Sequence, residues 1–213
     1  MEKCNEENVE TTGAGMRSTQ KNAFKKRFSA KRISFMAIFV AISYAVSFLE
    51  IPLPLFGAEF LKLDFGNVFI VLISFLLGPI EGVLVCLLKE SLRLITSSSG
   101  GAGELANFLV TSSYLLLPSV LYRFKKGLTS VCLSLVGACF IATGAALLTN
   151  RFLVFPAYAL AMDGSIFGMT VAQAFSSFLV ALVLFNLIKT AAIAILTLLL
   201  YKRLSDFIKK MKI

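Results

Sequence analysis

Long apolar runs without a charged residue alternate along this chain with short polar, basic or Gly/Pro-rich segments. The first run covers residues 33–49 and is 17 residues long, which is just enough for a transmembrane helix of about 17–25 residues. The same pattern recurs down the chain and predicts an all-α, six-helix membrane bundle. The predicted helices cover residues 33–49, 66–78, 79–96, 104–122, 127–150 and 172–203.

The boundary between the second and third predicted helices depends on proline. The apolar run at 65–80 contains Gly78-Pro79, and proline suits the first turn of a helix because its missing N–H has no partner there anyway. We therefore expect one helix to end at Gly78 and the next to begin at Pro79. After the fifth helix we expect an apolar loop that contains Pro156, Asp163 and Gly164.

Composition supports the membrane interpretation and excludes several kinds of chemistry. The chain has 213 residues, 57% hydrophobic and 15% charged, whereas soluble domains have about 45–50% and about 25%. It contains 0 His, which excludes His-ligated zinc and Ser-His-Asp catalysis. Its four Cys are not arranged as CxxC pairs, so we predict neither a metal site nor a resident cofactor.

The net charge of +9 is concentrated at the ends of the apolar region. Basic clusters precede the first predicted helix, follow the last one and lie between the fourth and fifth. This bias predicts that both termini are cytoplasmic, in the cell membrane, with anionic lipid as a partner and no nucleic acid. The predicted organisation is a disordered cytoplasmic tail at 1–30, a membrane domain at 31–205 and a basic cytoplasmic tail at 206–213.

Polar side chains inside the predicted spans are candidates for a binding site, because each is costly in a bilayer. Asn186 and Lys189 lie three residues apart and share a helix face. An amide with an ammonium group offers donors and an acceptor to a flat heterocycle with carbonyls and ring nitrogens. The alternative for Lys189 is an ion pair that holds the bundle together, for example with Glu104.

Further candidates lie near the ends of the fourth and fifth helices. Glu104 and Asn107 fall on one stripe of the fourth helix, where Glu104 either stabilises the helix N-terminus or contacts a ligand. Asn107 lies one turn deeper, and Asn150 ends the fifth helix with an amide suited to a ligand. Glu90 and Arg93 are expected to pair with each other, and their role, like that of Lys89, is left open.

Small residues form a repeat on the first predicted helix. Ala37, Ala41 and Ala45 recur every four residues, a spacing that allows another helix to pack closely. That neighbour is either a helix of the same bundle or a helix of a partner subunit.

Five segments occur in an order that resembles the substrate-binding S-components of energy-coupling factor (ECF) vitamin transporters, specifically the riboflavin type. They are Leu63-Asp64-Phe65, Gly78-Pro79 with Gly82, Gly103-Glu-Leu-Ala-Asn-Phe-Leu109, Phe185-Asn-Leu-Ile-Lys189 and Tyr201-Lys-Arg-Leu-Ser205. The resemblance implies a six-helix subunit that binds riboflavin near the outer face and is not an enzyme. Its implied partners are a transmembrane coupling subunit, contacted through the alanine face, and two ATPase subunits.

The resemblance also implies roles for single residues. Asn150, Asn186 and Lys189 would bond the edge of the isoalloxazine ring, and Leu63 and Asp64 would join them in the site. The first outer loop, at 50–65, would act as a gate over the vitamin. The alternatives are an S-component for another vitamin or for FMN or FAD, and, from other classes, an intramembrane enzyme or a structural membrane subunit.

Overall fold

The computed structural model describes residues 29–53, 61–97, 100–124, 127–162, 164, 166 and 168–210. The chain divides into two units, Met1–Ala37 and Ile38–Ile213. The described part of the first unit is the beginning of one helix, and the second unit contains the remaining elements and the cavity described below. Most of the predicted N-terminal tail and the end of the predicted C-terminal tail lie outside the described residues.

The described residues are almost entirely helical, so the predicted all-α bundle is confirmed. The helices are α1 (Ala30–Ser47), α2 (Gly66–Leu76), α3 (Pro79–Arg93), α4 (Ala102–Phe124), α5 (Leu128–Thr149), α6 (Phe155–Ala161) and α7 (Val171–Lys210). A π-helical turn at Asn150–Val154 joins α5 and α6 into one rod, so these seven helices form six helical stretches.

Four of these stretches are long and apolar enough to cross a membrane: Ala30–Ser47, Ala102–Phe124, Thr129–Ala161 and Val171–Tyr201. Large apolar side chains remain on their outer surfaces, among them Leu133 at 75% exposure and Phe140 at 67%. Soluble proteins seldom expose such continuous apolar surface, whereas lipid chains cover it in a bilayer.

Helix α2 lies inside the bundle and contacts α3, α4 and α7. Its 11 residues extend about 16 Å, too short for a bilayer core of about 30 Å. Gly78 turns the chain with φ of 131°, a value that side chains rarely adopt, and Pro79 then begins α3 as predicted. A Cβ on Gly82 would overlap Ser74, so glycine allows α3 to pack closely on α2.

The prediction of a loop after residue 150 is wrong, because the helix continues to Ala161. The π turn explains how it passes Pro156. The N–H of Phe155 donates to Asn150 O, five residues back, and Pro156 lies in the first turn of α6, where its missing N–H is tolerated. Such a turn has no simple sequence signal.

A short hairpin that was not predicted follows α1. Strand β1 (Ile51–Pro52) pairs antiparallel with β2 (Lys62–Leu63), and Ile51 lies opposite Leu63. Next to this pair, Leu53 N–H donates to Leu61 O over 2.9 Å. The hairpin forms the base of the predicted gate loop, whose residues 54–60 lie outside the described residues.

Candidate ligand-binding site

A cavity of about 340 Å³ opens among α3, α4, the π turn, α6, α7 and the hairpin. Small-molecule sites usually measure about 300–1,000 Å³. Six of the seven predicted binding residues line it: Asp64, Glu104, Asn107, Asn150, Asn186 and Lys189. The seventh, Leu63, is buried in β2 and is not among the lining residues, whereas Leu61, two residues before it, does line the cavity.

One wall of the cavity, here called the amide wall, comes from the α5–α6 rod and from α7. Its residues are Ala146, Asn150, Val154, Tyr158, Phe185 and Asn186. Asn150 Nδ2 donates to Ala146 O and Asn186 Nδ2 donates to Leu182 O, each over 2.8 Å. Each amide therefore uses one N–H within its own helix, and among the described residues its oxygen and second N–H have no other partner, so they can bond a ligand.

The π turn keeps one stripe of the rod facing the cavity. Ala146, Asn150, Val154 and Tyr158 all line it, at intervals of four residues. In an α-helix each such step overshoots a full turn by about 40°, so a straight helix would carry Tyr158 away from the face of Ala146. The wider π turn offsets that drift.

Behind the amide wall lies a compact apolar cluster. Phe155, Ala181 and Leu182 are at most 1% exposed, and Phe185 at 5% belongs to the same cluster. The Phe155 ring stacks on Phe178 with centroids 6.3 Å apart. Close packing of this kind restricts side-chain movement, so the amides project from a rigid support.

The opposite wall, here called the charged wall, comes from α3, the hairpin and the start of α4. Its residues are Glu50, Lys62, Asp64, Glu90, Arg93 and Asn107. Lys89 lies behind it and is 0% exposed. Its ammonium group donates to Asp64, to Glu90 Oε1 at 2.6 Å and to Asn67 Oδ1 at 3.3 Å, so all three N–H groups are used.

Asn107 connects this network to α7. Its Nδ2 donates to Glu90 Oε1 over 2.5 Å and to Asp64 Oδ2 over 3.3 Å. Its Oδ1 accepts a hydrogen bond from Lys189 Nζ at 2.7 Å. Lys189 is therefore held by an amide rather than by Glu104, and its remaining N–H groups can reach a ligand beside the Phe185 ring, 5.9 Å away.

The expected pair of Glu90 with Arg93 is wrong. Arg93 donates instead to Glu50 over 2.7 Å and to Ser47 O over 2.9 Å, while Lys62 donates to the other Glu50 oxygen over 2.6 Å. Partial burial alone would raise the pKa of Glu50, but the hydrogen bonds and charges of Lys62 and Arg93 lower it below the usual carboxyl value. Glu50 thus ties the base of the hairpin to α3.

Glu104 and the alanine repeat were also predicted from the sequence, and they lie in different parts of the structure. Glu104 lies in the first turn of α4, where a carboxylate is favoured by the helix dipole, and it accepts a hydrogen bond from Ser97 Oγ over 2.8 Å. It also lines the cavity, so both roles considered from the sequence are compatible with its position. On α1, Ala37, Ala41 and Ala45 are exposed.

Sequence reasoning missed most of the charged wall. Glu50 and Lys62 flank a Pro-rich segment, and Glu90 and Arg93 close an apolar helix, so each resembles an ordinary charge at a membrane surface. The available signal was the group Lys89, Glu90 and Arg93, three charged residues within five positions at the end of a largely apolar helix. A buried lysine needs nearby carboxylates, and these are Asp64 and Glu90.

Residues 31–201 match the family model for the ECF transporter, substrate-specific component. The chain belongs to this family. It is therefore a membrane transport subunit rather than an enzyme, and we refer to it below as the S-component.

Known proteins match the S-component over most of its length. It is 32% identical over 182 residues to the riboflavin transporter RibU of Staphylococcus aureus (strain TCH60), covering 84% of this chain and 93% of the relative. It is 24% identical over 185 residues to the riboflavin transporter FmnP of Bacillus subtilis (strain 168), covering 85% and 96%. A solved structure described as the S component of a bacterial ECF transporter matches with a TM-score of 0.70 and 32% identity, over 84% of this chain and 98% of that one.

Proposed function

We propose that this S-component binds riboflavin and delivers it inward across the cell membrane as part of an ATP-driven ECF transporter. The observation that carries the proposal is the cavity, where Asn150, Asn186 and Lys189 converge from two helical rods. Two relatives, each matched by this chain over more than nine tenths of its length, carry the name riboflavin transporter. FMN is a weaker candidate, because a phosphate group would meet the carboxylates of the cavity.

The amide wall suits the edge of an isoalloxazine ring, on which carbonyl oxygens flank a ring N–H. The amide oxygens of Asn150 and Asn186 can accept from that N–H, while their second N–H groups and Lys189 can donate to the carbonyls. Phe185, Tyr158 and Val154 offer apolar surface to the ring faces. Asp64, Asn107 and Glu104 complete the site from the other elements.

The partners follow from the same proposal. A transmembrane coupling subunit packs against the exposed face of Ala41 and Ala45, extended by Ala37, because small residues allow close helix contact. Two ATPase subunits supply the energy. Both termini are proposed to lie in the cytoplasm beside anionic lipid, a location that the basic clusters at both ends favour.

Purification in detergent tests the ligand directly. We expect protein from riboflavin-fed cells to be yellow, to release a compound with the absorption spectrum of riboflavin, and to quench added riboflavin fluorescence with 1:1 stoichiometry. FMN and unrelated vitamins are titrated in parallel. Colourless protein that leaves riboflavin fluorescence unchanged, or tighter binding of another vitamin, would contradict the assignment.

The partner surface has a separate test. Ala41→Phe should leave riboflavin binding by the purified subunit unchanged while uptake by the assembled transporter falls, because a bulky ring holds the partner helix away. Ile42→Phe is the matched control, since Ile42 is exposed one residue further along α1 on another face. Equal loss of binding and uptake in Ala41→Phe would assign the alanine face to packing within the bundle.

A further inference from the structure

Glu90 combines burial, a position on the cavity and an unused acceptor. Its side chain is 5% exposed, yet it lines the cavity from α3. Its Oε1 accepts from Lys89 over 2.6 Å and from Asn107 over 2.5 Å. Its Oε2 is buried and receives no hydrogen bond from any residue that the structure describes.

The other carboxylates on the cavity are occupied differently. Asp64 accepts from Ser47, Gly66 and Lys89. Both oxygens of Glu50 accept from cationic side chains, and Glu104 Oε2 accepts from Ser97. Glu90 therefore retains an entire carboxylate oxygen as an acceptor on a residue that lines the cavity, while its other oxygen stays bound to Lys89 and Asn107.

The donor that fits this oxygen is a neutral hydroxyl group. A buried carboxylate accepts strong hydrogen bonds, whereas an anionic group beside Glu90 and Asp64 would be repelled. An ammonium group is already supplied by Lys89. A neutral ligand with a chain of hydroxyl groups can satisfy Glu90 without adding charge to the buried network.

The two walls separate the parts of such a ligand. A flat heterocycle fits the amide wall, with its aromatic and aliphatic surface, and its hydroxylated chain then extends toward the charged wall across the cavity. We propose that the Glu90 carboxylate accepts a hydrogen bond from a hydroxyl group of the ligand's polyol chain, and that it thereby selects ligands that carry this chain. This inference rests on the proposed binding of riboflavin.

A comparison of two ligands isolates this contact. Riboflavin carries the polyol chain, whereas lumiflavin has the same ring with a methyl group in its place. Both are titrated by fluorescence quenching against the parent protein and against Glu90→Gln, in which the amide oxygen keeps the Oε1 contacts and an NH₂ group replaces the acceptor. We expect riboflavin affinity to fall about tenfold or more, the scale of a hydrogen bond to a charged group, and lumiflavin affinity to change less than about threefold.

Two further variants keep the test decisive. Glu90→Asp retains the charge but retracts the carboxylate, and it should lower the ratio of riboflavin to lumiflavin affinity if Glu90→Gln does not fold. Glu81→Gln is the matched control, because Glu81 is a buried carboxylate on α3 that does not line the cavity. It should leave that ratio unchanged.

The outcomes separate this inference from the proposed function. Equal loss of both ligands in Glu90→Gln would show that Glu90 only supports the cavity, and unchanged affinity for both would show that it makes no contact; either result overturns the inference while riboflavin binding stands. A parent protein that binds neither flavin overturns both proposals. A loss confined to riboflavin supports the contact.

Discussion

The two walls of the cavity satisfy their polar groups in opposite ways. In the charged wall, hydrogen bonds join different elements: Lys89 on α3 bonds Asp64 after the hairpin, and Asn107 on α4 bonds Lys189 on α7. In the amide wall, Asn150 and Asn186 bond carbonyls of their own helices. The charged network therefore connects the tertiary structure, whereas the amides depend on helices that form without them.

Because of this difference, substitutions in the charged wall should mainly lower the stability of the protein, whereas substitutions in the amide wall should mainly lower its affinity for the ligand. A buried network that spans several elements is disrupted as a unit when one member is removed. An amide held by its own helix can be removed with little effect on its neighbours, so its loss should be seen mainly in ligand binding.

The largest expected effect is that of Lys89→Met. It leaves Asp64 and Glu90 facing each other without the cation between them, and breaking a buried ion pair in this way costs about 3–5 kcal/mol. We expect the free energy of unfolding in detergent to fall by about that amount. The double variant Lys89→Met/Asp64→Asn should recover part of it, because only one carboxylate remains; a single variant as stable as the parent would contradict the role of the network.

On the amide wall Asn186→Ala, and next to that wall Lys189→Ala, should each weaken riboflavin binding by about 1–3 kcal/mol, the scale of a lost buried hydrogen bond. Unfolding of the Asn186 variant should stay near that of the parent. Ser176→Ala is the control, at an exposed position near the start of α7. Parent-like binding by both variants would show that the amide wall is not the ring site.

The smallest effect is expected where the charged wall meets solvent. Glu50→Gln removes partly exposed ion pairs to Lys62 and Arg93, and such pairs contribute about 0.2–1 kcal/mol. We expect somewhat faster riboflavin release in stopped-flow fluorescence, because the hairpin base is less firmly held to α3.

The same site predicts a pH dependence. Because the pKa of Glu50 is lowered in the folded protein, its contribution is fully present above the usual carboxyl range and is lost as the pH falls through that lowered value. Riboflavin release from the parent should accelerate in acid, and the Glu50→Gln variant should lack that part of the acceleration. An identical pH profile for both proteins would assign the acid effect to other carboxylates.

The sequence predicted the parts of this structure that depend on local pattern. Apolar runs marked the helices, Gly78-Pro79 marked the start of α3, and Asn186 with Lys189 marked a polar face in a long apolar helix. Each signal lies within a few neighbouring residues, so periodicity and the cost of burying polar groups in a bilayer were enough to find it.

The parts that were missed depend on contacts between distant residues. Arg93 pairs with Glu50, 43 positions away, rather than with its helical neighbour. The acceptor for Lys189 is Asn107, 82 positions away. Helical spacing favours near neighbours, and only the packing of α3, α4 and α7 decides between them.

The π turn at Asn150–Val154 makes the shape of the cavity depend on residue count. It behaves as one extra residue inserted into an α-helical rod. Deleting the exposed residue Phe152 would remove that extra residue and restore an ordinary helix with Tyr158 still on the face of Ala146. An ordinary helix that kept every residue would instead turn the segment beyond Val154 by about 100°. Tyr158 would then leave the cavity although no residue in contact with the ligand had been replaced, so in this rod the number of residues is itself a determinant of the binding site.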